Sequence, residues 1–393
     1  MNKYLECLMA AVVRKYKKPP KARNLKKEKG ILLVCRHPLG DTVMESPLLC
    51  GLRKAYPHHW ITLVCSKENF NLLACCPYVD EIIPYSSKTD KSFLKDNLRR
   101  TYRFAKEHFV CRKYELALIP STCMPAIIEA WLVHFSGAER RVTYSEKFNP
   151  TMHEEYMGAY DAYFTDVLFD EQLRHEVERN MELLNVLGLD DKDNSLELWT
   201  DALDQEQGLS FFHEEGISDD GLKIIVNLST STKTKDWPVE NYIAVCDKLN
   251  QKHSIEYILI GAGGTAREYA NIFKAHIHNV HDFVGRTTIR QTIEIMRHSD
   301  MYLGGDTGPM HFAAACKLVG VAIYKVAKNI DNRVENFAAR LYPWQADIKV
   351  VQPERAIIGC EHGCNLGVAH CIKTITVDEV VEKMEMILDE AKN

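Results

Sequence analysis

Three short stretches of this chain gather the residue types that bind anions and move protons. The first is Gly40-Asp41, just after the apolar run Ile31–Cys35. An Asp at the carboxyl end of a leading strand stands at the mouth of an open parallel sheet, where ligands bind. There it can take a proton from a hydroxyl. Asp is equally a favoured helix N-cap, so the dipeptide alone supports either role. The second stretch is Gly304-Gly305-Asp306-Thr307-Gly308-Pro309-Met310-His311, between an apolar run and the small-residue segment Phe312-Ala313-Ala314-Ala315. Gly305 and Gly308 let backbone approach a ligand, and Pro309 suits the first helical position. Free N–H groups at that helix start attract phosphate. Thr307 adds a hydroxyl, and His311 lies one turn in. A turn capped by Asp306 or Thr307 is the plain alternative. The third stretch, Ser229 to Pro238, sets a cluster of hydroxyls and two lysines, Lys233 and Lys235, after another apolar run. Hydroxyls donate and ammonium groups supply charge, the combination that wraps a diphosphate.

Gly261-Ala262-Gly263-Gly264 supplies a further close-approach loop. It lacks the Gly-Lys-Ser/Thr ending of a P-loop and does not fit G-x-G-x-x-G. Together these loops imply a phosphate-bearing ligand on the second half of the chain and an acid on the first. That division suits group transfer from a nucleotide-linked donor, whose leaving group needs charge stabilisation.

The elements that must carry these loops follow from hydrophobic patterning. Short apolar runs alternate with amphipathic stretches, which gives parallel sheets with crossover helices. Strands are expected at 31–35, 60–65, 81–83 and 114–119, with helices at 47–56, 70–75 and 176–187. Gly188 is the expected stop of the last helix. Residues 190–220 read as an acidic linker plus a helix. The alternation then restarts, with strands at 223–228, 255–260, 301–304 and 319–324. Helices are expected at 239–250, 309–317 and 377–391. Two such units joined near residue 200 predict a cleft between them.

The 393 residues hold 49 Lys and Arg against 54 Asp and Glu, a formal charge of −5. Length predicts more than one domain. An apolar share of 46% and a charged share of 26% exclude a disordered or collagen-like chain. No apolar run reaches the ~18 residues that span a bilayer, and the overall charge disfavours a nucleic-acid partner. Charge is uneven, however. Residues 1–29 carry a net +8, leaving −13 for the remainder. A second basic stretch, 88–113, interleaves Arg99, Arg100 and Arg103 with Tyr102, Phe104 and Phe109. Either stretch suits anionic headgroups or an anionic acceptor, or is an ordinary solvated face. The apolar segment Leu5–Val13 precedes the basic run, the reverse of an export signal. A reducing cytoplasm with free thiols is therefore expected for the 13 cysteines, with the protein either unattached or peripheral on the inner face of the cytoplasmic membrane. Cys35, Cys65 and Cys316 lie in apolar runs and read as core residues. Cys360-x3-Cys364-x6-Cys371, with His362 and His370 nearby, holds enough ligands for a structural Zn or Fe, or is a loop of free thiols.

Gly40-Asp41-Thr42-Val43-Met44-Glu45-Ser46-Pro47, with Leu52-Arg53-Lys54-Ala55-Tyr56-Pro57, resembles the opening of the ADP-heptose:lipopolysaccharide heptosyltransferases, glycosyltransferase family 9. Lys235-Asp236-Trp237-Pro238, Val284-Gly285-Arg286-Thr287-Thr288 and Asp306-Thr307-Gly308-Pro309-Met310-His311 resemble its second-domain signatures. The resemblance runs from about residue 30 to about 375. It implies an α/β protein of GT-B fold, two Rossmann-like doubly wound domains facing across a cleft. The acceptor domain would be 30–200 and the nucleotide-sugar donor domain 201–376, with a basic extension at 1–29 and a terminal helix at 377–393. It implies inversion at the sugar carbon with no catalytic metal or other cofactor. By position, Asp41 would be the general base. Thr230, Ser231 and Lys235 would hold the donor phosphates, and Asp306, Thr307, Gly308 and His311 its phosphate and sugar portions. Gly261 belongs with the donor loops, and Glu268 matches loosely an acid that holds the nucleoside. Arg99, Arg100 and Arg103 would meet the acceptor, a lipopolysaccharide-core or related glycan. A different nucleotide sugar, a capsule or protein acceptor, or a non-catalytic nucleotide-sugar binding protein are the alternatives. Arg36-His37 and the basic extension match no family role.

Overall fold

In the computed structural model the described residues are 18–23, 26, 28–86, 94–120, 127–218, 221–330, 337–361 and 367–390. The chain divides into two compact units. One takes the chain up to Gln172 together with Glu176–Asn194, and the other takes Leu173–His175 and everything from Ser195.

The first unit is built on a six-stranded parallel sheet. Its strands are β1 (Gly30–Cys35), β2 (Trp60–Cys65), β3 (Glu81–Pro84), β4 (Tyr114–Ile119), β5 (Arg140–Tyr144) and β6 (Asp166–Leu168), in the order β3-β2-β1-β4-β5-β6. The second unit repeats that plan. Its strands are β7 (Leu222–Asn227), β8 (Ile255–Leu259), β9 (Val280–Asp282), β10 (Met301–Gly305), β11 (Val319–Ile323) and β12 (Ile348–Val351), in the order β12-β11-β10-β7-β8-β9. In each sheet the first strand lies between the second and the fourth. The strand order therefore reverses beside β1 and beside β7, and ligands of open parallel sheets bind at the carboxyl ends of the strands there.

The central strands β1 and β10 carry no charged residue because helices cover both faces. All six residues of β1 are buried. In the first unit Trp131 and Phe135 of the helix Ile127–Ser136 and Phe109 fill one side. In the second, Val226, Leu303 and Val321 pack with Trp237, Tyr242 and the terminal helix Val377–Glu390. The expected helix at 239–250 is found with those bounds. Gly188 adopts φ +78° and ends Glu176–Val186.

Several elements were not read from the sequence. β5 opens with Arg140-Arg141, which breaks apolar patterning. Arg140 pairs with Asp166 of β6 at 2.8 Å, and Arg141 Nε donates to the Tyr163 carbonyl at 2.7 Å. Those charges are satisfied along the sheet margin. The helix Ile289–Arg297 opens on a capping box, Thr288 with Gln291, and the acidic linker contains a second one, Asp201 with Asp204, opening Ala202–Glu215. These two helices pack together, and a Cβ on Gly208 would overlap Glu294. Among the described residues no helix is long and apolar enough to cross a membrane.

Candidate functional site

The loops after β7, β8 and β10 emerge at one carboxyl edge, on three adjacent strands. Gly304, in β10 opposite Asn227 of β7, has no room for a side chain, since a Cβ would overlap the Tyr302 ring. A Cβ on Gly305 would come within 3.0 Å of Thr230 Cγ2, so the loops after β7 and β10 touch there. Asp306, 7% exposed, receives the Lys235 ammonium at 2.9 Å. Two residues singled out as donor ligands thus form an ion pair in the free protein. An anion arriving here shares Lys235 with Asp306.

Asp236, which the sequence reading left without a role, organises the loop. Its Oδ1 accepts from the Thr230 backbone N–H at 2.7 Å and the Thr230 hydroxyl at 2.9 Å. Trp237 beside it is buried and donates to the Ile375 carbonyl at 3.3 Å. In Lys235-Asp236-Trp237-Pro238, one residue pairs with the next loop, one closes its own loop and one anchors both to the core. Ser231 and Lys233 are exposed on the loop.

Thr307 is the N-cap of the helix Gly308–Ala315, yet its side chain makes no capping hydrogen bond and Pro309 lies in the first turn. Neither simple capping alternative accounts for Thr307, and the helix start retains backbone donors for a ligand. His311 is buried, and its Nδ1 has no hydrogen-bond partner among the described residues. Burial, helped by the Lys235 ammonium, pushes the imidazole down to about 3. His311 is therefore neutral and offers a hydrogen bond rather than a charge. Gly261, at φ +140°, lies near the start of the loop after β8, and Glu268 is exposed on the following helix, Gly264–Lys274. Arg267 beside Glu268 is taken by Asp282 at 2.9 Å.

In the first unit Asp41 lies half-buried in the first turn of the helix Leu39–Met44, just beyond the end of β1. Under it is a charged cluster that sequence reading did not find. The side chains of His37, Glu45 and Glu129 are each more than 95% buried and lie within 4 Å of a partner in the group. Of these, Glu45 stands in the Gly40–Pro47 motif and His37 matches no family role; Glu129 belongs to no motif read from the sequence. Arg99, Arg100 and Arg103 share the exposed side of the helix Leu94–His108. The interleaved aromatic residues turn inward: Phe104 meets Tyr85 at 4.7 Å and Tyr102 meets Phe135 at 5.3 Å between ring centroids. That helix presents charge, without aromatic wedges, to its surroundings.

The Sγ atoms of Cys360 and Cys371 and a ring nitrogen of His370 lie within 4.8 Å of one another. Both thiols are buried, and the trio borders a cavity also lined by Thr234 of the donor loop. Two sulfurs and an imidazole suit Zn or Fe. Cys364 and His362 fall outside the described residues. No two of the ten described cysteines are joined in a disulfide. Cys35 and Cys65 are core residues as expected, whereas Cys316, at the end of its helix, is only half-buried.

Residues 111–357 match the model of glycosyltransferase family 9 (heptosyltransferase). Lipooligosaccharide heptosyltransferase 2 of Campylobacter jejuni subsp. jejuni is 27% identical over 160 residues, 39% of this chain. The aligned part spans about half of that relative, 47% of its length. A family 9 glycosyl transferase from Veillonella parvula superposes with a TM-score of 0.71 at 19% identity, covering 94% of this chain and 99% of that one. The Escherichia coli ADP-heptose lps heptosyltransferase II gives 0.67 at 17% identity, covering 93% and 100%. The likeness to these structures shows the GT-B fold of two Rossmann-like domains. With well over half its length inside the family model, this chain belongs to glycosyltransferase family 9, the heptosyltransferases.

Proposed function

We propose that this protein is an inverting glycosyltransferase that needs no catalytic metal and moves heptose from ADP-heptose to a hydroxyl of a lipopolysaccharide-core or related glycan. The observation that carries the reading is the donor edge of the second unit. It joins a lysine–aspartate pair, a helix start with available N–H groups and a neutral buried histidine at one reversal of strand order. The similar structure of the Escherichia coli ADP-heptose lps heptosyltransferase II supports the choice of donor.

In this reading residues 30–200 take the acceptor and 201–376 the donor. Asp41 removes the acceptor hydroxyl proton as that oxygen bonds to the anomeric carbon from the face opposite the leaving group. The bond from the anomeric carbon to the diphosphate oxygen breaks, and its electron pair leaves with ADP. Lys235 and the backbone N–H groups of Thr307 and Gly308, at the helix start Thr307–Met310, meet the charge on the departing diphosphate. Thr230, Ser231 and Gly308 contact its oxygens, while Asp306 and His311 bond to the sugar. Gly261 lets the nucleoside approach the backbone, with Glu268 near it. Arg99, Arg100 and Arg103 attract anionic groups of the acceptor or of the inner-membrane surface.

The test is incubation with ADP-, GDP- and UDP-sugars and a lipid-core acceptor fraction, with products read by mass spectrometry. A heptose-sized mass increment from ADP-heptose alone supports the proposal. Transfer only from another nucleotide sugar would reassign the donor, and binding with no transfer from any would overturn it. Cys360, His370 and Cys371 form a candidate structural metal site, and the solved iron-containing glycosyltransferase TibC from enterotoxigenic Escherichia coli makes iron worth measuring beside zinc. Metal analysis of untagged protein tests this. Stoichiometric metal lost in Cys360→Ser supports the site, and metal-free folded protein rejects it.

A further inference from the structure

The short helix Leu39–Met44 is held from beneath by charges that the reaction scheme does not use. His37 precedes it and Glu45 follows it, and His37 Nδ1 lies 2.5 Å from Glu45 Oε1, so the pair staples the two ends of the helix that carries Asp41. On the other side of the ring, His37 Nε2 is 3.8 Å from Glu129 Oε2, in the first turn of Ile127–Ser136. That helix follows β4, the strand beside β1 where the order of the sheet reverses. Arg36 is 3.8 Å from Glu129 Oε1, with its guanidinium over the Tyr85 ring. Asn69, buried after β2, donates to the His37 carbonyl at 2.7 Å and the Thr42 hydroxyl at 2.6 Å. The connections after β2, β1 and β4, three neighbouring strands of the sheet, are thus tied at one residue.

With Glu45 and Glu129 both ionised, the charges in this group balance only when His37 is protonated. Glu45 and Glu129 bring two carboxylates, and Arg36 one fixed cation. A neutral imidazole then leaves one buried negative charge uncompensated, which is costly, whereas an imidazolium gives two of each sign, donating to Glu45 from Nδ1 and facing Glu129 with Nε2 at ion-pair distance. We propose that His37 is a positioning residue whose imidazolium, clamped between Glu45 and Glu129, fixes the Leu39–Met44 helix and aims Asp41. Burial pulls this ring down, but the two carboxylates outweigh burial and hold it well above its ordinary value. Cys35, also buried beside Glu45, stays a neutral thiol because burial and that carboxylate both push it up. A histidine raised on folding stabilises fully below about pH 6.5, its unfolded value. That contribution is lost as pH climbs through the folded value, so the clamp is closed at neutral pH and opens in alkali.

The role rests on Asp41 being the base, and the experiment separates the two. His37→Gln keeps a hydrogen-bonding side chain and loses the charge. It should lower kcat at least tenfold, leave the KM for ADP-heptose within about twofold, and remove the alkaline fall in kcat that depends on this ring. His37→Gln/Glu45→Gln removes the stranded carboxylate as well and should recover thermal stability while kcat stays low. Nitrogen-15 NMR of the full-length wild type, labelled at histidine, should show His37 doubly protonated at pH 7.5. A neutral His37 at that pH overturns the proposal, and so does an unchanged kcat and pH profile in either variant. Near-normal turnover in Asp41→Asn instead overturns the role of Asp41. A dead Asp41→Asn beside a fully active His37→Gln overturns the clamp alone.

Discussion

Replacing Lys235 by Met tests the donor edge because one ammonium serves two partners. In the free protein it neutralises Asp306 at 2.9 Å, with side-chain exposures of 21% for Lys235 and 7% for Asp306. A pair of this kind lies between an exposed one, worth about 0–1 kcal/mol, and a buried one, whose disruption costs about 3–5 kcal/mol. About 2 kcal/mol is a reasonable middle value, which in a domain of this size lowers Tm by roughly 4–8 °C. Against a diphosphate the same ammonium makes a charge-assisted hydrogen bond worth about 1.5–3 kcal/mol. Part of that is offset by sharing the cation with Asp306, so ADP affinity should fall about tenfold. Calorimetric titration with ADP reads the second effect and thermal denaturation the first. Lys235→Met/Asp306→Asn removes the stranded carboxylate and should restore Tm without restoring affinity. Lys233→Met, on the exposed part of the same loop, controls for general charge and should bind ADP within about twofold of wild type. Unchanged ADP affinity in folded Lys235→Met would refute the reasoning. Full recovery of affinity in the double variant would show that Lys235 serves only to neutralise Asp306.

Other outcomes follow from the same geometry. Asp41→Asn should reduce kcat by a hundredfold or more with ADP binding intact, measured by initial rates and titration. His311 is neutral when folded, with its imidazole pushed down to about 3. Its contribution is complete above pH 6.5 and is lost as pH falls toward the folded value. Between pH 7 and pH 5 this one group removes about 2 kcal/mol, so urea unfolding of His311→Gln should show a correspondingly shallower acid dependence. Gly320→Ala should fail to accumulate as folded protein, because the new Cβ would overlap Tyr302 backbone atoms at φ +150°; soluble yield and circular dichroism check this. Thr288→Ala breaks a capping box and should cost about 1 kcal/mol by chemical denaturation.

How much of this was legible without coordinates depends on the range of the forces involved. The α/β class, the central strands and the loops at the carboxyl edge are written in local patterning. Ile31–Cys35 and Met301–Gly305 are apolar because both sheet faces are covered, and the glycines, hydroxyls and Pro309 that follow record turns and a helix start. Marginal strands such as Arg140–Tyr144 were not legible, since their charges are satisfied by partners from other segments, Asp166 and the Tyr163 carbonyl. The two capping boxes, Thr288 with Gln291 and Asp201 with Asp204, are local signals. Which side chains meet was decided by tertiary structure alone. Lys235 and Asp306 stand 71 residues apart in the chain, and His37 meets Glu129 only because β4 lies beside β1. Sequence supplies the types of charge available, but burial and pairing fix their states. Those depend on desolvation and on neighbours brought together by the fold, and so His311 is neutral while His37 sits between two carboxylates.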